Sequence, residues 1–232
     1  MPPGYRRGVM IRTVVAPLLG TNCYLLHDED GSCVVVDPGA GALDQLLAAV
    51  HDDRLVPRAV LVTHGHVDHT WSAGALSRAW AAPVVVHEAD AYRLADPFGS
   101  LGPLGGQLEP LGTTVAGPYE EPTDVVLVRA DGSLPVEGLD RLPLRAVHCP
   151  GHTEGSTVYL VDDGGTPRAA LTGDVLFAGT IGRTDLPGGD ASLMAASLAR
   201  LADLPGAVAV LPGHGPASTV ADELRVNPYL RR

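Results

Sequence analysis

Aromatic side chains are scarce in this sequence: Phe, Trp and Tyr make up 4% of 232 residues, against 45% hydrophobic residues overall. A sizeable core can form, but it has to be aliphatic. Cysteine is scarce too. Cys23, Cys33 and Cys149 are too few and too scattered for a disulfide framework, and none has the partner two residues away that a zinc–thiolate site uses. They read as free, buried thiols in a reducing cytosol. Cations are outnumbered, with 16 Lys plus Arg against 27 Asp plus Glu and a formal charge of −11. That balance opposes binding to a nucleic-acid backbone, which needs clustered positive charge. No apolar run approaches the length of a transmembrane helix, so no membrane partner is expected. The short run Val9-Met10-Ile11 after Arg6-Arg7 is cut by Arg12, which argues against an export signal and for a cytoplasmic location.

Against these absences stands one dense stretch, Thr63-His64-Gly65-His66-Val67-Asp68-His69. It follows the apolar run Ala59-Val60-Leu61-Val62, which reads as a buried strand. Residues two apart do not share a helix face, so His64 and His66 belong on an extended turn, where alternate side chains point the same way. Asp68 and His69 then fall at the start of a helix, aimed back at the same point. Three imidazoles and a carboxylate converging on one spot suit zinc, or iron or manganese. The alternative, a histidine-rich surface loop, does not account for this clustering.

Along the chain, residues 1–10 read as a loose tail. Strands are expected at Ile11–Pro17, Asn22–His27 and Ser32–Asp37, with Asp28-Glu29-Asp30-Gly31 as a hairpin turn. Leu43, Leu46, Leu47 and Val50 recur at helical spacing, and Trp71, Ala75, Leu76 and Ala79 mark a second helix. Val84-Val85-Val86 is a short buried strand. Residues 96–122 break the pattern with frequent Gly and Pro, and their interspersed leucines suggest a packed, lid-like loop. Strands resume near Val125–Arg129, Leu144–His148, Thr157–Val161 and Ala169–Leu171. A helix follows with Leu193, Met194, Ser197, Leu198 and Leu201 on one face and Asp190 or Ser192 as its N-cap. A strand at Ala207–Leu211 and a closing helix from about Thr219 complete the pattern. No linker divides the chain, so residues 1–232 read as a single α/β domain of two packed sheets with helices outside.

Three later sites share one context, an apolar strand ending in a Gly-flanked His or Asp: Pro150-Gly151-His152, Thr172-Gly173-Asp174 and Pro212-Gly213-His214-Gly215. Glycine there lets the backbone crowd a ligand or take positive φ. Singly these histidines are weak signals. Together with the cluster they make seven ligands, the number two adjacent metals need when one carboxylate bridges them.

The ordered set His64-x-His66-x-Asp68-His69, His152, Asp174, His214 resembles the metallo-β-lactamase fold superfamily, and within it the glyoxalase II-like (hydroxyacylglutathione hydrolase-like) enzymes. The likeness runs from Asn22-Cys23-Tyr24 to Asn227-Pro228. It implies a four-layer αββα sandwich with two divalent metal ions at one edge. His64, His66 and His152 would hold one ion, Asp68, His69 and His214 the other, and Asp174 would bridge them. Asp37 matches an acid that orients a metal-bound histidine. The match is to short members; long ones add a C-terminal helical domain with further glutathione contacts.

The implied chemistry is hydrolysis. Metals roughly 3.5–4 Å apart share a hydroxide, made accessible because metal binding lowers the pKa of water to about 7. The hydroxide attacks a carbonyl polarised by one metal, and a thiolate leaves; Asp68 could also orient the attacking group. Ser156 and Ser218 lack a nucleophile-elbow motif and read as structural. Arg183, in Gly182-Arg183-Thr184-Asp185, has two readings: a bidentate contact to a glutathione carboxylate, or an ion pair with Asp185 or Asp190. His27, His51 and His87 read as surface residues, and Cys149 as an inert packed thiol. The expected function is thioester hydrolysis of the S-acylglutathione type, with zinc as the default metal. A mono-iron persulfide dioxygenase, a lactone or ester hydrolase of the same fold and a non-enzymatic metal-stabilised module are the alternatives.

Overall fold

Asn22–His27, Ser32–Val36 and Ala59–Val62 carry apolar side chains at consecutive rather than alternate positions, and strands of that kind have to be covered on both faces. A computed structural model describes residues 8–230 and shows how they are covered. Strands β1 (Met10–Val15), β2 (Asn22–His27) and β3 (Ser32–Val36) form an antiparallel meander. Helix α1 (Leu43–Asp52) returns the chain to β4 (Val56–Leu61), which lies parallel to β3. The short α2 (Val67–Thr70) and α3 (Ala73–Trp80) lead to β5 (Val84–His87). After α4 (Tyr92–Ala95) and α5 (Gly105–Ala116), β6 (Val125–Val128) joins the parallel edge. The first sheet therefore runs β1-β2-β3-β4-β5-β6.

The second sheet is built from β7 (Gly132–Ser133), β8 (Leu144–His148), β9 (Thr157–Asp163) and β10 (Thr166–Gly173). A two-stranded hairpin, β11 (Leu176–Phe177) with β12 (Thr180–Ile181), precedes α6 (Ala191–Ala202). The chain closes with β13 (Ala209–Pro212), β14 (Ser218–Thr219) and α7 (Val220–Val226). The order is β14-β13-β10-β9-β8-β7, with β13 parallel to β10 and the other pairs antiparallel.

Period-2 alternation sorts the strand side chains into three cores, one between the sheets and one outside each. Tyr24, Leu26, Val34, Val36 and Leu61 point inward to meet Tyr159, Val161 and Leu171 of the second sheet. Their neighbours Cys33, Val35 and Val60 point outward under Leu46 and Val50 of α1 and Leu76 of α3. On the far side, Met194, Leu198 and Leu201 of α6 cover Val158, Leu160 and Ala170. The result is the αββα sandwich. With ~1.5–3 kcal/mol from each fully buried aliphatic side chain, this core needs few aromatics. Of the two N-cap candidates for α6 it is Asp190 that caps, accepting from the N–H groups of Ser192 and Leu193; α7 is capped by Thr219, which accepts from Asp222 N–H.

Four sequence expectations need correction. Residues 1–7 of the expected tail lie outside the described residues, but Val9 is buried and Met10 already starts β1. The segment 96–122 is not an irregular loop: a 3-10 turn at Gly99–Leu104 runs into the 12-residue α5, with Pro110 inside it. Intrinsic propensity opposes that helix, since proline removes a backbone donor and each glycine costs about 1 kcal/mol relative to alanine. Packing overrides it. Leu101, Leu104 and Leu108, with Phe98 and Tyr119, close around Trp71, whose indole N–H donates to Gly117 O. Trp71 is thus the C-cap residue of α2 and holds the 98–119 segment, rather than belonging to the α3 face. On α6, Leu193 is 45% exposed and does not share the buried face. Among the described residues no helix is long and apolar enough to cross a membrane.

Two outcomes follow from this packing. Trp71→Ala is expected to lower the unfolding free energy by about 3–5 kcal/mol, as read by denaturant titration. All three thiols are buried, and burial foremost pushes Cys23 up to about 11 and Cys33 and Cys149 up to about 12. The thiolate is the reactive form, so the folded protein at pH 8 should resist iodoacetamide and label at three sites once denatured; prompt labelling before unfolding would contradict it.

Candidate metal centre

Each expected ligand follows the C-terminal end of a strand, at one edge of the sandwich. His64 and His66 come after β4, His152 after β8, Asp174 after β10 and His214 after β13; Asp37 comes after β3. Strands β3 and β4 are parallel, as are β10 and β13, and β8 is antiparallel to β9, itself antiparallel to β10. The ligand-bearing strand ends within each sheet therefore point one way. The two sheets are tied there by hydrogen bonds from Thr157 N–H to Thr63 O (2.7 Å), Asn22 N–H to Gly213 O (2.7 Å) and the Tyr24 hydroxyl to Pro212 O (2.7 Å). As the two-residue spacing requires, His66 is extended (φ −68°, ψ 142°), and Asp68 lies in the first turn of α2.

The seven side chains converge. His64, His66 and His152 form one group with donor atoms within 4.8 Å of one another, and Asp68, His69 and His214 form a second. Asp174 groups with His64 and His69, one member of each triad. Its Oδ1 lies 3.4 Å from His69 Nε2, and its Oδ2 3.7 Å from His152 Nε2 and 3.8 Å from His214 Nε2. Ring nitrogens face each other across the cluster, His66 Nδ1 to His152 Nε2 at 2.9 Å and His69 Nε2 to His214 Nε2 at 3.2 Å. The approach is close enough that a Cβ on Gly213 would collide with Asp174 Oδ1.

The partners behind the rings aim their lone pairs inward. Asp37, in the left-handed region at φ +52°, accepts from Thr63 N–H and Thr63 Oγ1–H (both 2.7 Å) and lies 3.0 Å from His69 Nδ1. Asp tolerates that backbone better than most residues, and such strain gathers at functional sites. Since Thr63 Oγ1 gives its proton to Asp37, it accepts from His64 Nδ1 at 3.1 Å. Arg183 O lies 2.8 Å from His152 Nδ1. A carbonyl only accepts, so His152 Nδ1 carries the proton and Nε2 the lone pair.

These are the marks of a cation site. Buried polar atoms normally have partners, yet His64 Nε2, His66 Nε2 and Asp174 Oδ1 have none. The donor set of imidazole nitrogens and carboxylate oxygens suits a divalent first-row metal. Burial, reinforced by neighbouring imidazoles, holds His64 well below its usual range, and burial with His152 lowers His66 to about 3, so both are neutral. At the other triad burial also opposes charge on His69, but Asp68, Asp174 and Asp37 outweigh it and pull its pKa well up. Asp68 and Asp174 stay ionised despite burial, chiefly through His69. The carboxylates recruit positive charge to the point where the second triad converges.

Of the two readings of Arg183, the ion pair with Asp185 is present: its guanidinium is exposed and bidentate to that carboxylate, at 2.7 Å twice, while its carbonyl rather than its charge reaches the centre. His87 is buried, not at the surface, and stacks on His148 at 3.9 Å with planes 9° apart. Asp90 and Arg93, unassigned from sequence, are both fully buried directly behind the ligand loops. A signal existed: Glu88-Ala89-Asp90 follows the apolar β5 just as the ligands follow their strands.

His214→Ala is expected to bind one metal equivalent fewer than the wild-type protein, as counted by elemental analysis after equilibration with zinc. An unchanged count would overturn the assignment of His214.

The sequence model of the metallo-beta-lactamase superfamily matches residues 16–214. Rv2581c of Mycobacterium tuberculosis is 40% identical over 232 residues, covering 96% of this chain and 98% of that protein. The hydroxyacylglutathione hydrolase GloC of Haemophilus influenzae is 30% identical over 220 residues, with 90% and 92% covered. Among solved structures, TTHA1623 in a di-iron-bound form superposes with a TM-score of 0.78 at 31% identity, covering 94% of this chain and all of that one. A match over most of the chain, joined to relatives alike along nearly their whole length, makes this protein a member of the metallo-beta-lactamase superfamily.

Proposed function

We propose that the protein is a two-metal hydrolase of thioesters of the S-acylglutathione type. The observation that carries this reading is the place of Asp174, one carboxylate grouped with a histidine from each triad. Metal-dependent hydrolysis is the general chemistry of the superfamily, and a relative at 30% identity is a hydroxyacylglutathione hydrolase. In this reading His64, His66 and His152 hold one ion, Asp68, His69 and His214 the other, and Asp174 bridges. Two divalent ions there would supply a water acidic enough to attack at neutral pH and a Lewis acid for the carbonyl. Zinc is the metal proposed; iron and manganese suit the same donors, and a related structure holds two irons.

The chain's own residues do the positioning. Asp68 Oδ2 sits 3.2 Å from His214 Nε2 and 3.6 Å from His69 Nε2, so the carboxylate lies at the mouth of the second triad, placed to orient a reacting water. Asp37 fixes His69 directly and His64 through Thr63. No protein nucleophile is required: Ser156 Oγ accepts from Thr153 N–H inside its own loop and Cys149 is buried. Arg183 would recognise a substrate carboxylate. Its guanidinium is exposed and already grips a carboxylate in the bidentate geometry such recognition uses, and that surface pair can be exchanged. The substrate is thus a small acidic thioester met in the cytoplasm, with no part for nucleic acid or membrane.

Purified protein of known metal content given S-lactoylglutathione is expected to cleave it, with thioester absorbance as the readout. Asp174→Asn removes a charge shared by both ions. Because metal-ion catalysis contributes several kcal/mol, turnover should fall by more than about 100-fold. Undiminished turnover in the variant would overturn the bridging assignment, and failure of fully loaded protein to cleave the thioester would overturn the substrate class.

A further inference from the structure

Asp90 lies at the end of a 3-10 turn, Glu88–Asp90, that follows β5, outside both donor triads and fully buried. Its two oxygens are fully engaged. Oδ2 accepts from Gly65 N–H at 2.8 Å and from Thr153 Oγ1–H at 2.7 Å; Oδ1 accepts from Gly155 N–H at 2.8 Å and from Arg93 Nε–H at 3.3 Å. Gly65 stands between His64 and His66, and Thr153 follows His152. One carboxylate therefore ties the first ligand loop, after β4 of one sheet, to the loop after β8 of the other.

Arg93 completes the anchor. Its guanidinium donates to Ser100 O (3.2 Å), to Pro187 O (2.8 Å) and to the Glu154 carboxylate. A buried charge with these partners is satisfied, whereas removing one partner leaves the rest exposed to the low-dielectric interior. The stem of Arg93 also explains the residue between the two histidines: a Cβ on Gly65 would lie 2.7 Å from Cβ and Cδ of Arg93, so the ligand loop can seat on it only as glycine.

We propose that Asp90, held by Arg93, is a positioning residue that sets the separation of His66 and His152 and so the metal affinity of the His64/His66/His152 group. The facing nitrogens of those two rings are 2.9 Å apart, and each ring's loop hangs from a different donor to the same Asp90 oxygen. The other triad relies on a different carboxylate, Asp37, through His69. Loss of Asp90 should therefore act on one metal and spare the other. The inference rests on the two-metal reading and is independent of the substrate.

Asp90→Asn tests it. Whichever way the amide turns, its NH2 faces donors, Gly65 N–H and Thr153 Oγ1–H or Gly155 N–H and Arg93 Nε–H. Zinc affinity is read by chelator competition on the wild-type and variant proteins, and the visible spectrum of the cobalt-substituted forms reports each equivalent. The expected result is an affinity loss of about 10- to 100-fold for one equivalent, with the other unchanged. Thr153→Val, which removes one of the four donors to Asp90 together with the acceptor of the Ser156 hydroxyl and changes shape little, should show a smaller loss at the same equivalent and serves if the first variant does not fold. Leu139→Ala, which destabilises the core ahead of the start of β8, at the end away from His152, should leave both affinities alone. Wild-type binding of both equivalents by Asp90→Asn, or equal weakening of both, would overturn the proposal. A wild-type protein that binds no metal would overturn the two-metal reading itself.

Discussion

Seven donor side chains meet at one edge of two sheets, and their mutual crowding is the constraint on which the rest of the structure depends. Imidazole nitrogens face each other at 2.9 and 3.2 Å, and three carboxylates crowd His69. Neutral His64 and His66 lie on one side, and on the other a His69 whose affinity for protons is raised by Asp68, Asp174 and Asp37. This arrangement is stable only with positive charge in the middle and rigid supports outside. The supports are two buried carboxylates. Asp37 gathers Thr63 and His69, and Asp90 gathers Gly65, Thr153 and Gly155.

The sandwich makes those supports effective because it brings strand ends from both sheets to the same level. Hydrogen bonds between the sheets at that edge, such as Thr157 N–H to Thr63 O and the Tyr159 hydroxyl to Val62 O, keep the levels matched. The 98–119 segment adds a wall on one side. Through Trp71 it rests on α2, the helix that carries Asp68 and His69, so the packing of a segment with poor helix propensity bears on where two ligands sit. Arg93 extends the same support toward that segment at Ser100 and toward the loop that carries Arg183 at Pro187. Arg183 itself faces both ways, its carbonyl on His152 and its guanidinium in solvent with Asp185.

Much of this could be read from the chain. Four ligands within six residues need only local geometry, an extended pair and then a helical turn, to converge, and the backbone at His66 and α2 has that geometry. His152, Asp174 and His214 carried a recurrent context, and Asp37 closed a strand before a Pro-Gly stop. Consecutive apolar residues in β2, β3 and β4 dictated cover on both faces, and so the layers. Residues 99–116 were misread because glycine and proline speak against a helix locally, and only contacts to Trp71 outweigh them. His87 was misread because nothing nearby in sequence discloses that His148 of the other sheet lies flat on it.

By itself, then, the sequence determined most of the elements, the layering and which side chains carry metal-ligand chemistry, because strand and helix periodicity and metal-ligand chemistry act over a few residues. The tertiary structure alone decided which carboxylate stands behind which ring. Asp90 reaches Gly65 across 25 residues and Gly155 across 65, and Arg93 reaches Pro187 across 94. Such partnerships are settled by the folded path of the chain, since a buried charge is stable only where the fold supplies its hydrogen-bond partners, and local pattern holds no record of where those partners lie.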